Sequence, residues 1–282
     1  MEYFTLNTNE KIPVIGEGTF LFTPDEAESA VLTALEQGYR LIDTANYYMN
    51  EKAVGRAMKK SSLKRSEIYL STKLWPSEYE QASQAIDETL ERLGTDYLDL
   101  LFLHQPVGDY LAAYQAMIEA VAAGKVKSLG LSNFSQNKIG ELIEKTGVAP
   151  AVVQVEAHPY ANQTALKEFL APYNTKVMAW FPLGHGDKSL LNEQLFSDLA
   201  AKYHKTNVQI ILRWHTQVGN IVIPGSKNPV HIAENLDIFD FELSPAELAE
   251  IKKLDVNKTY YVQTEEKLNE YLHLKQDYSK QK

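Results

Sequence analysis

"YLDLLFLH", Tyr97–His104, is almost continuously apolar and ends on an imidazole. A strand with one wet face alternates apolar and polar residues; a parallel strand covered on both faces does not. The flanking segments support the second reading. "SEYEQASQAIDETLERLG" (77–94) precedes it, a helical pattern with a Ser cap and a Gly stop, and "YLAAYQAMIEAVAAG" (110–124) follows as another helix. The run is therefore the central strand of a β–α–β repeat.

The repeat extends in both directions. Upstream lie the strand patterns "VIGEGT" (14–19), "YRLID" (39–43) and "EIYLSTKLW" (67–75); downstream lie "VKSLGLSNF" (126–134), "AVVQVEAHP" (151–159), "TKVMAWFP" (175–182) and "NIVIPGS" (220–226). Helical patterns follow each one, among them "TPDEAESAVLTALEQG" with Thr23 as cap and Pro24 at the first position. Eight parallel units joined by right-handed crossovers form an open doubly wound sheet or a closed barrel. Eight in 282 residues fit the α/β (β/α)8 TIM barrel. No Gly-x-Gly-x-x-Gly fingerprint supports a Rossmann domain. Ahead of the repeat, "YFTLN" and "KIP" read as a hairpin at about residues 3–13.

Composition bounds the function. Hydrophobic residues make up 44% and charged residues 23%, ordinary for a globular enzyme. The net charge of −9 argues against nucleic acid or an anionic membrane as partner. No cysteine is present, which removes disulfides, thiolate nucleophiles and Cys-based zinc sites; no metal cluster is expected. No apolar run reaches the length of a membrane span, and "MEYFTLNTNEKIP" lacks the apolar core of a signal peptide. A cytoplasmic location and a monomer are the expectations.

Barrel chemistry sits at the C-terminal strand ends. Three successive strand patterns end on Asp43, Lys73 and His104, spaced 30 and 31 residues apart, one unit each. Taken singly, each has a plain alternative: a helix cap, a solvent lysine, a strand-end imidazole. Together they bring an acid, a base and an imidazole to one rim. A buried lysine beside an aspartate stays charged and should lower the pKa of a nearby phenol from ~10. "DTANYYMNE" (43–51) offers two phenols, Tyr47 and Tyr48. Neighbouring residues on a strand or helix do not share a face, so at most one of the two is expected at the site. Local chemistry does not choose between them.

These blocks resemble the aldo-keto reductases. "GYRLIDTANYYMNEKAVG" is similar to that family's Asp-Thr-Ala-x-x-Tyr-x-Asn-Glu signature; "STKLW", "LFLHQP", "GLSNF", "VQVEAHP" and "IPGSKNPVHIAEN" resemble its later blocks in order. The resemblance implies one barrel domain over residues 1–282, closed at the bottom by the hairpin. The segment at about 256–282, the part least like the family, is expected over the cleft as a source of specificity. The resemblance implies an NAD(P)H-dependent oxidoreductase that reduces small aldehydes, dicarbonyls, keto acids or diketo sugar acids. It implies a catalytic tetrad of Asp43, Tyr48, Lys73 and His104, since the family tyrosine stands five places after the aspartate. Phe20, Trp75, Tyr48 and His104 are implied at the substrate.

The same resemblance assigns the cofactor's nicotinamide end to Gly18, Thr19, Asp43, Ser132, Asn133, Gln154, Trp180 and Leu183. It assigns the nucleotide end to Ser226, Lys227, Asn228, His231, Glu234 and Asn235. Amide side chains suit a carboxamide because they both donate and accept. Asn133 as a helix cap and Trp180 as a core residue are the structural alternatives. Departures are visible. Gly225 stands where the family often has a Lys and His231 where it often has an Arg, both usual ligands of the NADPH 2′-phosphate. Lys227 and protonated His231 are the candidate replacements, so NADPH is expected, with NADH as the alternative. Phe181 replaces a common Ser, and Glu17 an apolar residue or Gly. Two rival readings remain: a cofactor-binding regulatory subunit with little turnover, and a lyase barrel using Lys73 as a Schiff base.

Overall fold

A computed structural model describes residues 1–282. The antiparallel pair β1 (Tyr3–Thr5) and β2 (Lys11–Pro13) opens the chain, in register Tyr3 to Pro13. Eight parallel strands follow: β3 (Glu17–Gly18), β4 (Leu41–Asp43), β5 (Tyr69–Leu74), β6 (Leu98–Leu103), β7 (Val126–Ser132), β8 (Val152–Glu156), β9 (Lys176–Trp180) and β10 (Asn220–Val222). Each pairs with its sequence neighbour from β3 to β10. The ring is closed by a parallel bridge between Ile15 and Val222. There the Gly16 N–H donates to the Val222 carbonyl and the Val222 N–H to the Val14 carbonyl, both at 2.9 Å. Closure leaves no sheet edge and decides between barrel and open sheet in favour of the barrel.

The helices are α1 (Pro24–Glu36), α2 (Glu51–Lys60), α3 (Ala82–Leu93), α4 (Tyr110–Ala122), α5 (Gln136–Thr146), α6 (Thr164–Leu170), α7 (Lys188–Leu191), α8 (Gln194–Tyr203), α9 (Asn207–Gln217), α10 (Pro229–Leu236), α11 (Pro245–Lys252) and α12 (Glu265–His273). Strand β6 is buried along its whole length, as its apolar run requires. Leu98, Leu101 and Leu103 join the large core under the outer helices. Leu100 and Phe102 point inward to a second core with Leu41, Val152, Met178 and Ile221. The hairpin plugs the bottom of the barrel. Leu6 and Ile12 enter that inner core, and Asn7 Nδ2 donates to the Pro150 carbonyl at 3.0 Å, just ahead of β8.

Two local expectations change. Ser77 does not cap a helix: Pro76–Gln81 forms a 3-10 turn and the α-helix starts only at Ala82. Proline fixes the first turn, and the Ser77 hydroxyl donates to Glu78 instead. Asn133 is no cap either, because Ser135 caps α5 through the Lys138 N–H. The short α7 and the C-terminal α12 lie outside the sequence patterns. Only Leu268 of α12 is buried, too little apolar periodicity to read. No helix is long and apolar enough to cross a membrane.

Candidate active site

Strand β4 delivers Asp43 and strand β5 delivers Lys73 to the same buried layer, 2% and 1% exposed. Lys73 Nζ donates to Asp43 Oδ2 at 2.5 Å and to the Thr44 carbonyl at 2.7 Å. Asp43 Oδ1 accepts from the Ser71 hydroxyl at 2.7 Å and from Gln154 Nε2 at 3.2 Å. Burial opposes the charge on Lys73, but Asp43 and Tyr48 together offset it and hold the ammonium above the usual lysine range.

Tyr48 ends the 3-10 turn Asn46–Tyr48 that follows β4. Lys73 Nζ lies 4.9 Å from the centre of its ring. Burial raises the phenol's pKa, and Lys73 pulls it back by charge and hydrogen bonding. The net direction is upward. The sequence expectation of a lowered phenol therefore needs correction: desolvation exceeds the ammonium's effect. His104 follows β6, with its ring edge-on to Tyr48 at 5.6 Å and to Trp75 at 4.9 Å. Burial, assisted by the Lys73 charge, lowers its pKa well below the usual value, so the imidazole is neutral. Its Nδ1 is buried without a partner.

Above this layer opens a cleft of about 660 Å³, a volume suited to a small-molecule site. Gly18, Asp43, Tyr48, His104, Ser132, Asn133 and Gln154 meet at its centre. Phe20 and Trp75 wall one side; Trp180, Leu183, Ser226, His231, Glu234 and Asn235 continue along it. Four assigned residues stand outside. Lys73 lies beneath the floor. Thr19 is buried, its hydroxyl donating to the Asp43 carbonyl at 3.2 Å. Lys227 is paired with Glu26 at 2.9 Å, and Asn228 caps α10 through the Val230 N–H.

Tyr47 also lines the cleft, stacked on Trp75 with ring centres 3.8 Å apart. The expectation that only one tyrosine reaches the site fails because the segment is a tight 3-10 turn, not a strand or α-helix. The two rings still differ: Tyr48 meets Lys73 and His104, Tyr47 meets an indole. Replacing Tyr47 with Phe keeps the stacked ring and should leave kcat and KM within about twofold of wild type. A larger loss of turnover in steady-state assays would assign its hydroxyl a role.

The C-terminal segment expected over the cleft forms a third wall, although sequence reasoning singled out none of its residues. The Tyr260 and Tyr261 N–H groups donate to the two Glu156 carboxylate oxygens at 2.7 and 2.9 Å. That latch anchors Tyr261 at the cleft, and Tyr271 of α12 joins it there against Trp75 at 5.1 Å. Gln263 Nε2 reaches the Asn133 carbonyl at 3.3 Å. Leu21, Asn133, Phe181 and His185, all lining the cleft, hold positive φ of 50–65° without being glycine. Backbone strain of this kind concentrates at functional sites and persists only where surroundings enforce it.

The Aldo/keto reductase family profile matches residues 14–256. The chain belongs to that family. It is similar to methylglyoxal reductase DkgA of Escherichia coli K12, 40% identical over 256 residues, covering 90% of this chain and 93% of that protein. A crystal structure of an aldo/keto reductase from Brucella melitensis is 43% identical, with TM-score 0.87, covering 90% of this chain and 98% of that one. A Bombyx mori aldo-keto reductase in complex with NADP is 33% identical, with TM-score 0.86, covering 91% and 94%.

As an aldo/keto reductase the chain is an oxidoreductase using a nicotinamide cofactor, and the cleft fits such a group. Ser132, Asn133 and Gln154 supply both donors and acceptors for a carboxamide. Trp180 offers an indole face whose Nε1 is fixed by Asn133 Oδ1 at 3.0 Å. Further along, the floor is bare backbone. A Cβ on Gly225 would lie 2.5 Å from the Gly18 carbonyl oxygen, so only glycine keeps this close approach.

Proposed function

We propose that this aldo/keto reductase reduces small, uncharged carbonyl compounds, dicarbonyls and aldehydes above all, with NADPH as reductant and Tyr48 as proton donor. The observation that carries the reading is the buried Asp43–Lys73 pair set against the Tyr48 phenol in a cleft shared with His104. Bound reduced nicotinamide supplies the hydride. Ser132, Asn133 and Gln154 would hold its carboxamide, and Trp180 its ring. His104, being neutral, can donate one hydrogen bond to the substrate oxygen and orient it. Tyr48, still protonated, gives its proton to the alkoxide that develops there. Lys73 then stabilises the phenolate left behind, and Asp43 keeps Lys73 charged and fixed.

The chemistry of the wall supports uncharged substrates. Phe20, Tyr47, Trp75, Trp180, Tyr261 and Tyr271 surround the reacting end, and no Lys or Arg lines the cleft. A keto acid or diketo sugar acid would bury its carboxylate there without a cation, which is costly. The similarity to a methylglyoxal reductase agrees with this preference. Lys73 is a poor Schiff-base nucleophile, because its Nζ is charged and already committed to Asp43 and Thr44. The regulatory alternative has no observation in its favour.

NADPH over NADH rests on His231 along the cleft and on Lys227, which must leave Glu26 to reach a 2′-phosphate. That ion pair is exposed and screened by solvent, so exchange is easy. The test is NADPH and NADH oxidation across methylglyoxal, small aldehydes, keto acids and sugar acids. The expected result is a kcat/KM for the dicarbonyl at least about tenfold above any keto acid. Equal or better use of the acids would overturn the substrate class, and no turnover with any carbonyl would overturn the reductase reading.

A further inference from the structure

Glu17 is the one acidic side chain buried in the first barrel strand, fully shielded from solvent. Its Oε1 accepts the Ser226 N–H at 2.8 Å, its single hydrogen bond, and its Oε2 is buried with no partner. No cation pairs with it. Burial raises its pKa well above the carboxylate range, against a smaller opposing effect of the Ser226 N–H. An apolar side chain would suit such a pocket better, since a half-satisfied polar group costs stability. The carboxyl therefore needs a reason other than folding.

The bond it makes supplies one. Ser226 belongs to the turn Gly225–Ser226, packed so closely that a Cβ on Gly225 would lie 2.5 Å from the Gly18 carbonyl oxygen, and one on Gly18 would lie 2.8 Å from the Ile223 carbonyl oxygen. Two other amides nearby bond locally: Asn228 N–H to the Ser226 hydroxyl at 3.2 Å and Val230 N–H to Asn228 Oδ1 at 3.0 Å. Glu17 is thus the side-chain link between the barrel rim and the turn that opens α10. We propose that Glu17 is a positioning residue, fixing the Gly225–Ser226 turn so that the phosphate-bearing end of the cofactor finds a preformed seat. This rests on the reading that the turn and α10 hold the dinucleotide.

The experiment compares Glu17→Leu and Glu17→Gln in the full chain. Apo Tm, amide exchange over residues 224–228, and Kd for NADPH and NADH by protein fluorescence quenching are the readouts. Glu17→Leu should match or exceed the wild-type Tm, speed exchange at Ser226, and weaken both cofactors about tenfold. Glu17→Gln can still accept the N–H and should stay within about twofold of wild type throughout. A Glu17→Leu chain that binds normally, or one whose weaker binding accompanies a lower Tm, overturns the inference. So does an equal loss in both variants, which would show that accepting the Ser226 N–H is not what supports binding. Asn235→Ala separates the two levels. If it weakens binding while Glu17→Leu does not, only the role of Glu17 falls. If neither changes Kd, the assignment of the nucleotide end falls as well.

Discussion

Replacing Tyr48 with Phe should lower kcat for carbonyl reduction by about 10²–10⁴-fold, the scale of general acid catalysis, while cofactor Kd stays unchanged. The substitution removes one oxygen and keeps the ring that packs at 5.1 Å against Phe20 and at 5.6 Å against His104. Cleft shape is therefore preserved, and a loss of turnover reports the hydroxyl alone. The competing proton source is His104. Its pKa lies well below the usual histidine range, so at neutral pH it is the neutral imidazole, whose remaining N–H is a much weaker acid than a phenol. Near-normal turnover of Tyr48→Phe in single-turnover and steady-state assays would move the acid role to His104 and sink the assignment.

The raised phenol also fixes the pH dependence. The proposed mechanism needs Tyr48 protonated and His104 neutral for reduction. Burial raises the first pKa and lowers the second, so reduction should run flat at least between about pH 6.5 and pH 10, the span between ordinary His and Tyr values. Alcohol oxidation needs the phenolate, which becomes available only as pH rises toward the elevated pKa. The ratio of oxidation to reduction should therefore increase with pH.

The barrel was legible because its signal is local and repeated. A strand buried on both faces must be apolar throughout, as β6 is, and each unit carries its own cap and stop. Asp43, Lys73 and His104 were legible for the same reason, since one unit's spacing brings successive strand ends to one height. The third wall had no such signal. Glu156 reaches Tyr260 and Tyr261 across 104 and 105 residues of sequence, through backbone N–H groups that any residue type would offer. The direction of the Tyr48 pKa was likewise hidden, because it depends on how deeply the ring is buried against how near Lys73 lies. Residue identities state neither.

Lys73→Met should abolish measurable turnover and also destabilise the fold by ~3–5 kcal/mol, because it leaves the Asp43 carboxylate buried without its cation. Asp43 keeps only its bonds from Ser71 and Gln154, both neutral donors. The two losses have different origins, and a second substitution separates them. Asp43→Asn combined with Lys73→Met removes both charges, while the Asn Oδ1 can still accept from Ser71 and Gln154. Stability should recover by at least half in urea unfolding, since replacing a buried ion pair with neutral groups is often close to neutral. Turnover should not recover, because no ammonium remains to stabilise the Tyr48 phenolate as the proton leaves. A double variant that regained stability and activity together would mean that Lys73 serves only to keep Asp43 soluble in the core. A double variant still as unstable as Lys73→Met would mean that Lys73 contributes chiefly through its bond to the Thr44 carbonyl, which neither substitution restores. The predicted split between recovered folding and absent turnover is what a lysine acting on the phenol requires.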